Sequence, residues 1–238
     1  DLLSGASFAL HFVALRRLDI RAYAKDSEFR FYILLLAATT GIVTVALFYT
    51  NTYIFWDEAF IQGLFQVVSI GTTTGFTTAQ FYTWPPFIEI TLLFLAFVGG
   101  CAGSTGGGIK VIRFLLLIKQ GVREIGRLIH PNAQLPVRVG DKVVNHRVID
   151  AVWGFFSLYV ATFVIMYLAL AATGLDLLTS FSAVAACMNN LGPGLATVGA
   201  HYFDMHDPGI WILCFAMLLG RLEIFTVLVL LTPAFWRR

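Results

Sequence analysis

Long runs of hydrophobic residues dominate the chain and alternate with short polar segments. One apolar stretch covers residues 31–109 and another covers residues 148–220, and neither contains a lysine or an arginine. Within the first stretch, Phe31–Tyr49 would extend about 28 Å as a helix with a rise of about 1.5 Å per residue. Because the hydrocarbon core of a bilayer is about 30 Å thick, this run predicts a membrane-spanning helix.

The next apolar run, Ala59–Ile70, is too short to cross a membrane, since it reaches only about 18 Å as a helix. It predicts a half-length helix that enters the bilayer and turns back through residues 71–78, before a run from Phe87 returns. The second stretch repeats this order of a crossing helix, a short helix, a turn and a returning run, at Val148–Thr173, Leu177–Met188, Asn189–Thr197 and Gly209–Leu231.

The spacing of polar landmarks supports a duplication. Asp57 precedes Gly75 by 18 positions, and Asp176 precedes Gly194 by 18 positions, which corresponds to a shift of 119 residues. Each aspartate is expected to be the N-cap of its short helix. The chain is therefore predicted to be an all-α membrane protein with two parallel helix–pore-loop–helix repeats.

Composition and charge agree with a membrane location. The chain is 58% hydrophobic and 13% charged, whereas soluble domains are about 45–50% apolar and about 25% charged. Basic residues concentrate at Arg16–Arg30, Lys110–Arg147 and Arg237–Arg238, and only Arg221 lies elsewhere. Because cytoplasmic segments of membrane proteins are enriched in Lys and Arg, the three basic clusters are predicted to be cytoplasmic.

These patterns divide the chain into four parts. Residues 1–30 are expected to be the end of a preceding transmembrane helix, at Leu2–Leu15, followed by a basic linker. The first repeat covers residues 31–120, a cytoplasmic linker with a helix and a small hairpin covers residues 121–147, and the second repeat covers residues 148–238. Parallel repeats of this kind are expected to form a ring around one pore axis, and two repeats are too few to close it. Further repeats are therefore expected from a missing N-terminal part of the same polypeptide or from a paired chain.

The glycine-rich turns after the two short helices are candidates for an ion filter. Irregular backbone at membrane depth is stable only where it is buried in protein or lines a watery cavity. Glycine allows positive φ, and rings of backbone carbonyls can replace the water around a cation. The negative end of each short helix would also favour a cation. The alternative is a re-entrant loop with a structural role only.

A lone arginine and a glycine-rich break follow the two turns at similar distances. Arg221 comes 27 residues after Gly194, and Gly103 comes 28 residues after Gly75. A charge inside an apolar run costs about 2.5–3.5 kcal/mol on insertion scales, so Arg221 must face water or a partner. Each glycine inside a helix costs about 1 kcal/mol relative to alanine, so consecutive glycines cannot maintain one. The helix that begins near Phe87 is therefore predicted to break at Gly103, Ser104, Thr105, Gly106, Gly107 and Gly108. We expect this loop to narrow the path below the turns while Arg221 repels cations; the alternatives are a packing kink and an ion pair with Glu223.

Four motifs resemble the Trk/Ktr/HKT superfamily of potassium transporters over nearly the whole chain: SIGTTTGFTTAQF, NNLGPGLATVG, GGCAGSTGGGIKVIR and LLGRLEIFTVLVLLTP. In that superfamily four repeats in one polypeptide surround a pore, and each repeat contributes one filter glycine. The resemblance implies that this chain holds the third and fourth repeats, and that Gly103–Gly108 is an intramembrane gating loop. It assigns the filter glycines to Gly75 and Gly194 and neighbouring K⁺ ligands to Thr73, Thr74, Gly192 and Pro193.

The resemblance also implies partners and a location. It points to the bacterial cytoplasmic (inner) membrane, a homodimer, K⁺ as the permeant ion and no covalently bound cofactor. The basic linker is expected to set the orientation and contact anionic lipid, and the resemblance adds docking of a cytosolic nucleotide-binding regulatory subunit of the TrkA type.

The expected function is potassium uptake, either passive or coupled to another ion, and no nucleic acid is expected as a partner. The alternative is a secondary carrier, an ion-coupled symporter for a small cation or polar solute. An enzyme is not expected, because the sequence offers no plausible set of nucleophile, base and cofactor.

Overall fold

The computed structural model describes residues 1–131, 133–140 and 142–236, which are mainly α-helical. The helices are α1 Phe8–Arg17, α2 Arg21–Lys25, α3 Ser27–Tyr49, α4 Trp56–Gly71, α5 Pro86–Val98, α6 Val111–Ile129, α7 His146–Ala171, α8 Leu177–Met188, α9 Asp207–Arg221, α10 Ile224–Leu231 and α11 Pro233–Trp236. Short 3₁₀ turns lie at Phe81–Thr83 and Ala196–Val198, and two strands form a hairpin, β1 Arg138–Val139 and β2 Lys142–Val143.

Two helix–pore-loop–helix units follow one another, which confirms the predicted fold class. In the first unit α3 crosses, α4 enters and α5 returns; in the second, α7, α8 and α9 do the same. The crossing helices α3 and α7 have 23 and 26 residues and are strongly apolar. At about 1.5 Å per residue both exceed the hydrocarbon core of about 30 Å, whereas α8, with 12 residues, does not.

The C-terminal part of each short helix packs in the interior of its unit. Every residue of α8 from Ser182 to Met188 is buried, and Gln66 and Ser69 of α4 are fully covered. The crossing helices, in contrast, expose large apolar side chains such as Leu34 on α3 and Ile165 on α7. The turns that follow α4 and α8 therefore begin from helix ends that are packed on several sides.

The basic linker contains a helix and a hairpin, as predicted. α6 runs through residue 120, the predicted end of the first repeat, and β1 pairs antiparallel with β2. Gly140 occupies the hairpin turn with φ +57°. Asp141 and the terminal basic pair Arg237–Arg238 lie outside the described residues.

The predicted returning run over Gly209–Leu231 is divided between two helices. α9 ends at Arg221 and α10 begins at Ile224, with a bend of 108° between them. Glu223 at the bend has φ +59°, and its carboxylate lies 3.1 Å from the Arg113 guanidinium of α6. This contact joins residues far apart in the chain, so the local hydrophobic pattern does not contain it.

The predicted helix tail at Leu2–Leu15 is also only partly correct, because α1 begins at Phe8. The preceding residues form turns that bind the loop between α5 and α6. The Cys101 amide donates to the Gly5 carbonyl at 2.8 Å, and the Phe8 amide donates to the Gly103 carbonyl at 3.1 Å. The start of the chain is thus attached to this loop through its backbone.

Candidate ion filter and gate

The turns that follow α4 and α8 have the same backbone geometry. Thr73 and Asn190 have φ of +56° and +53°, and two residues further on Gly75 and Gly192 have φ of +81° and +104°. Two backbone hydrogen bonds, each from an amide to a carbonyl, close each turn. In the first turn they are Thr73 to Ile70 (3.0 Å) and Thr74 to Ser69 (2.8 Å). In the second turn the equivalent bonds are Asn190 to Cys187 (3.1 Å) and Leu191 to Ala186 (2.9 Å). The two units are therefore related at the turns by a shift of 117 residues.

This geometry corrects the predicted pairing of the filter glycines. The shift of 119 residues placed Gly194 opposite Gly75, but the residue in the equivalent conformation is Gly192. The Gly194 amide instead donates to the Val198 carbonyl at 3.0 Å, and a Cβ on Gly194 would lie 2.7 Å from the Val198 side chain. Gly194 thus belongs to the packing behind the turn.

The predicted helix caps differ between the two units. Asp176 is the N-cap of α8, and its carboxylate accepts from the Thr179 amide at 3.0 Å. The prediction for Asp57 is wrong, because α4 begins at Trp56 and Phe55 is its N-cap. Asp57 lies in the first turn of α4, where its charge is still favourable at the positive end of the helix dipole.

The two turns touch each other, and polar groups hold them in place. A Cβ on Gly75 would lie 2.1 Å from the Leu191 carbonyl oxygen, so no larger residue fits at this contact. The Ser69 hydroxyl donates to the Phe76 carbonyl at 2.6 Å. The Tyr202 hydroxyl donates to the Gly192 carbonyl at 2.8 Å. The turn backbones are therefore oriented by hydrogen bonds from their own units.

The predicted filter residues divide between two sides of the turns. A cavity of about 610 Å³ on one side is lined by Gly75, Gly192 and Pro193, together with Tyr202. Thr73 lies on the opposite side, where its hydroxyl accepts from the Gly107 amide at 2.6 Å. The hydroxyl groups of Thr72 and Thr74 are hydrogen-bonded to each other at 2.7 Å. Gly194 lies behind the second turn, against Val198.

The predicted break in the helix is present, and it lies directly against the turns. α5 ends at Val98 and α6 begins at Val111. A Cβ on Gly107 would lie 1.9 Å from the Asn189 carbonyl oxygen, and one on Gly106 would lie 2.9 Å from the Thr72 carbonyl oxygen. Only glycine allows the loop to approach both turns this closely.

Arg221 reaches the same loop. Its guanidinium donates to the Thr105 carbonyl at 3.3 Å. The neighbouring Gly220 brings α9 against the end of α8, since a Cβ there would lie 1.9 Å from the Met188 carbonyl oxygen. The alternative partner of Arg221, Glu223, binds α6 instead.

A polar cavity of about 320 Å³ lies between the loop and the α9–α10 bend. It is lined by Gly103–Gly108 and by the charged side chains of Lys110, Arg113, Arg221 and Glu223. Three cationic side chains and one carboxylate give these groups a formal charge of +2. The cavity is therefore electropositive.

Lys110 and Arg113 are site residues that the sequence pattern does not predict. The Lys110 ammonium donates to the Gly106 carbonyl, and the Arg113 guanidinium lies 4.1 Å from the ring centroid of Phe155. The available signal was position, since these are the first basic residues after the glycine run. Their hydrophobic surroundings do not indicate that the start of α6 lies beside the loop.

Comparisons with known proteins agree with this arrangement. The family model described as "TrkH: Cation transport protein" matches residues 2–238. The chain is 52% identical over 238 residues to the Trk system potassium uptake protein TrkH of Vibrio parahaemolyticus, covering 99% of this chain and 49% of that protein. It is 48% identical over 236 residues to the Trk system potassium uptake protein TrkH of Escherichia coli K12, with the same coverage.

The fold is also similar to a solved structure. The crystal structure of the potassium transporter TrkH from Vibrio parahaemolyticus superposes with a TM-score of 0.94 at 52% identity, covering 99% of this chain and 51% of that one. The chain spans about half the length of the curated relatives it matches. With a family match over almost its entire length, the chain belongs to the TrkH family of cation transport proteins.

Proposed function

We propose that this chain forms half of a potassium uptake pathway in the bacterial cytoplasmic membrane, with the basic linkers on the cytoplasmic side. The observation that carries the proposal is the pair of matched turns, which touch each other at Gly75 and rest directly on the loop Gly103–Gly108. The names of the relatives, which describe potassium uptake proteins rather than enzymes, support the same ion.

The filter in this proposal consists of backbone carbonyls from both turns. The first turn contributes Thr73, Thr74 and Gly75, and the second contributes Gly192 with the residues just before it, in place of Pro193 and Gly194. Carbonyl dipoles can replace the hydration shell of K⁺ without any formal charge. The ends of α4 and α8 add partial negative charge at the same place.

The gate in this proposal is the loop together with Arg221. The loop closes the path below the filter because Gly106 and Gly107 lie against Thr72 and Asn189. Arg221 holds the loop through the Thr105 carbonyl and adds positive charge to the cavity below. Displacement of the loop, together with movement of Arg221, would open the path for a cation.

The remaining parts of the pathway lie outside this chain. Because the relatives are about twice as long, the other half of the polypeptide would supply two further repeats. A homodimer and a cytosolic nucleotide-binding subunit of the TrkA type, docked on the basic side, complete the proposed assembly. K⁺ enters this scheme as the transported ion, not as a resident cofactor.

Three glycine variants test the filter. The intact protein is reconstituted in liposomes, and K⁺ and Na⁺ fluxes are measured for Gly75→Ser, Gly192→Ser and Gly194→Ser. The first two should lower the preference for K⁺ over Na⁺, because both residues have positive φ in the turns. Gly194→Ser is the matched control and should leave the ion preference unchanged. If Gly194→Ser lost the preference for K⁺ over Na⁺ and Gly192→Ser kept it, Gly194 rather than Gly192 would be the filter glycine of the second unit.

An arginine variant tests the gate. Arg221→Ala removes a positive charge and the bond to Thr105, so K⁺ flux should rise in the same liposome assay. Arg147→Ala, at the start of α7, is the control for loss of a basic residue that does not line the cavity. Equal flux in the parent protein and in Arg221→Ala would exclude Arg221 from the gate.

A further inference from the structure

The second half of α6 has an apolar stripe that nothing in the described part of the chain covers. Ile118, Val122, Ile125 and Ile129 recur at intervals of four, three and four residues, so they lie along one side of the helix. Their exposed fractions are 44%, 64%, 62% and 66%. At about 25 cal/mol per Å² of apolar surface, leaving all four in water is unfavourable.

The packing of α6 defines the depth of this stripe. Leu116, just before the stripe, packs with Ile149 and Val152 near the start of α7. The distance along α7 from Ile149 to its other end at Ala171 is about 33 Å, and the hydrocarbon core is about 30 Å thick. Leu116 is therefore already near the edge of the core on the basic side. The stripe begins where the headgroup layer begins.

The charge of the surrounding segment favours one kind of surface. Lys110–Arg147 contains eight basic and two acidic residues, and each basic residue near an anionic membrane surface contributes about 1 kcal/mol of attraction. A second copy of α6 packed on the stripe would bring two positively charged segments together. Within residues 118–129 alone, Lys119, Arg123 and Arg127 outnumber Glu124.

We infer that residues 118–129 of α6 lie in the headgroup layer on the basic side of the membrane as an amphipathic helix. The stripe from Ile118 to Ile129 then inserts at the boundary with the acyl chains, and the basic linker attracts anionic phospholipid. A helix with one apolar side and a polar side rich in Lys and Arg is typical of this location. The inference does not depend on which ion the protein transports.

Spin labels at two matched valines test the inference in the intact protein. Val122→Cys lies on the stripe, and Val143→Cys in β2 is the control, because Val143 is a similarly exposed aliphatic residue (59% against 64%) of the same linker. Cys214 is exposed and is replaced by serine, whereas Cys101 and Cys187 are buried and are retained. Each labelled protein is reconstituted in phosphatidylcholine liposomes with and without phosphatidylglycerol. Collisions with molecular oxygen report the lipid phase, and collisions with a water-soluble nickel chelate report the aqueous phase.

The Val122 label should be accessible to oxygen and shielded from nickel, and the Val143 label should show the reverse. Adding phosphatidylglycerol should make the Val122 label still more accessible to oxygen and still less accessible to nickel. Equal nickel accessibility at the two positions would overturn the inference. So would shielding of the Val122 label from both reagents with dipolar broadening, because a second copy would then cover the stripe. An unchanged signal with and without phosphatidylglycerol would overturn the preference for anionic lipid.

Discussion

Replacing Gly107 by alanine tests whether the loop closes the path by direct contact with the filter turns. The added Cβ would lie 1.9 Å from the Asn189 carbonyl oxygen, whereas ordinary contacts begin at 3.4 Å. The loop or the end of α8 must therefore move by roughly 1.5 Å to restore a normal contact. Such a shift also breaks the 2.6 Å bond from the Gly107 amide to the Thr73 hydroxyl.

The size of the effect follows from these two losses. Overpacking of a tight contact costs about 1–3 kcal/mol, and a broken hydrogen bond costs about 0.5–1.5 kcal/mol. We expect the closed position of the loop to lose about 1–3 kcal/mol relative to an open one, because partial relaxation recovers some of the sum. The ratio of open to closed loops should then rise by about 5-fold to 150-fold.

The assay is K⁺ flux into liposomes that contain the intact protein, measured for the parent, Gly107→Ala and Gly41→Ala. Gly41 is the matched control, because a Cβ at this position of α3 meets nothing within 4 Å. Gly107→Ala should raise the flux, and Gly41→Ala should leave it at the parental level. Parental flux in a Gly107→Ala protein that unfolds at the parental temperature would refute the reasoning, because the loop would then tolerate displacement without opening the path.

Three further changes have defined outcomes. Ala196 has φ +53°, a conformation that costs L-residues about 1–2 kcal/mol, so Ala196→Gly should raise the unfolding temperature of the detergent-solubilised protein. Hydrogen bonds from the Thr179 hydroxyl and amide hold the pKa of Asp176 below its usual range. This cap therefore stabilises the fold fully at pH values above the usual carboxyl pKa of about 3.9. Asp176→Ala should cost about 0.5–2 kcal/mol at neutral pH, and its difference in unfolding temperature from the parent should disappear as the pH falls through the lowered pKa. Glu223→Gln leaves Arg113 without its carboxylate and makes the cavity more positive, so K⁺ flux should fall; the unfolding temperature should change little, because partly exposed ion pairs contribute at most about 1 kcal/mol. A rise in flux in Glu223→Gln would contradict an electrostatic role for the cavity.

The elements that depend on local patterns could be predicted from the sequence. The short helix Leu177–Met188 has the predicted bounds, because Asp176 caps one end and the polar and glycine residues after Met188 end the other. α3 begins four residues before the predicted Phe31, at Ser27, because the Asp26 carboxylate accepts from the Phe29 amide at 2.8 Å and starts the helix within polar sequence. Hydrophobicity alone does not report such a polar first turn.

The features that depend on contacts between distant segments could not be predicted in this way. The bend at Glu223 has neither glycine nor proline, and it coincides with an ion pair to Arg113 of another helix. The register of the two turns was wrong by two residues because the Asp57 and Asp176 landmarks do not occupy equivalent positions in α4 and α8. Helix ends and backbone angles, which sequence identities do not encode, give the correct shift of 117 residues.

The hydrogen bond between Gly107 and Thr73 has a thermodynamic consequence for the proposed pathway. The same hydroxyl group belongs to a filter turn and receives the amide of the loop, so the electric field at the inner end of the filter differs between the two loop positions. Ion occupancy and loop position must then influence each other to the same extent, since such coupling is reciprocal. In the proposed pathway, the apparent affinity for K⁺ would therefore change whenever the loop moves.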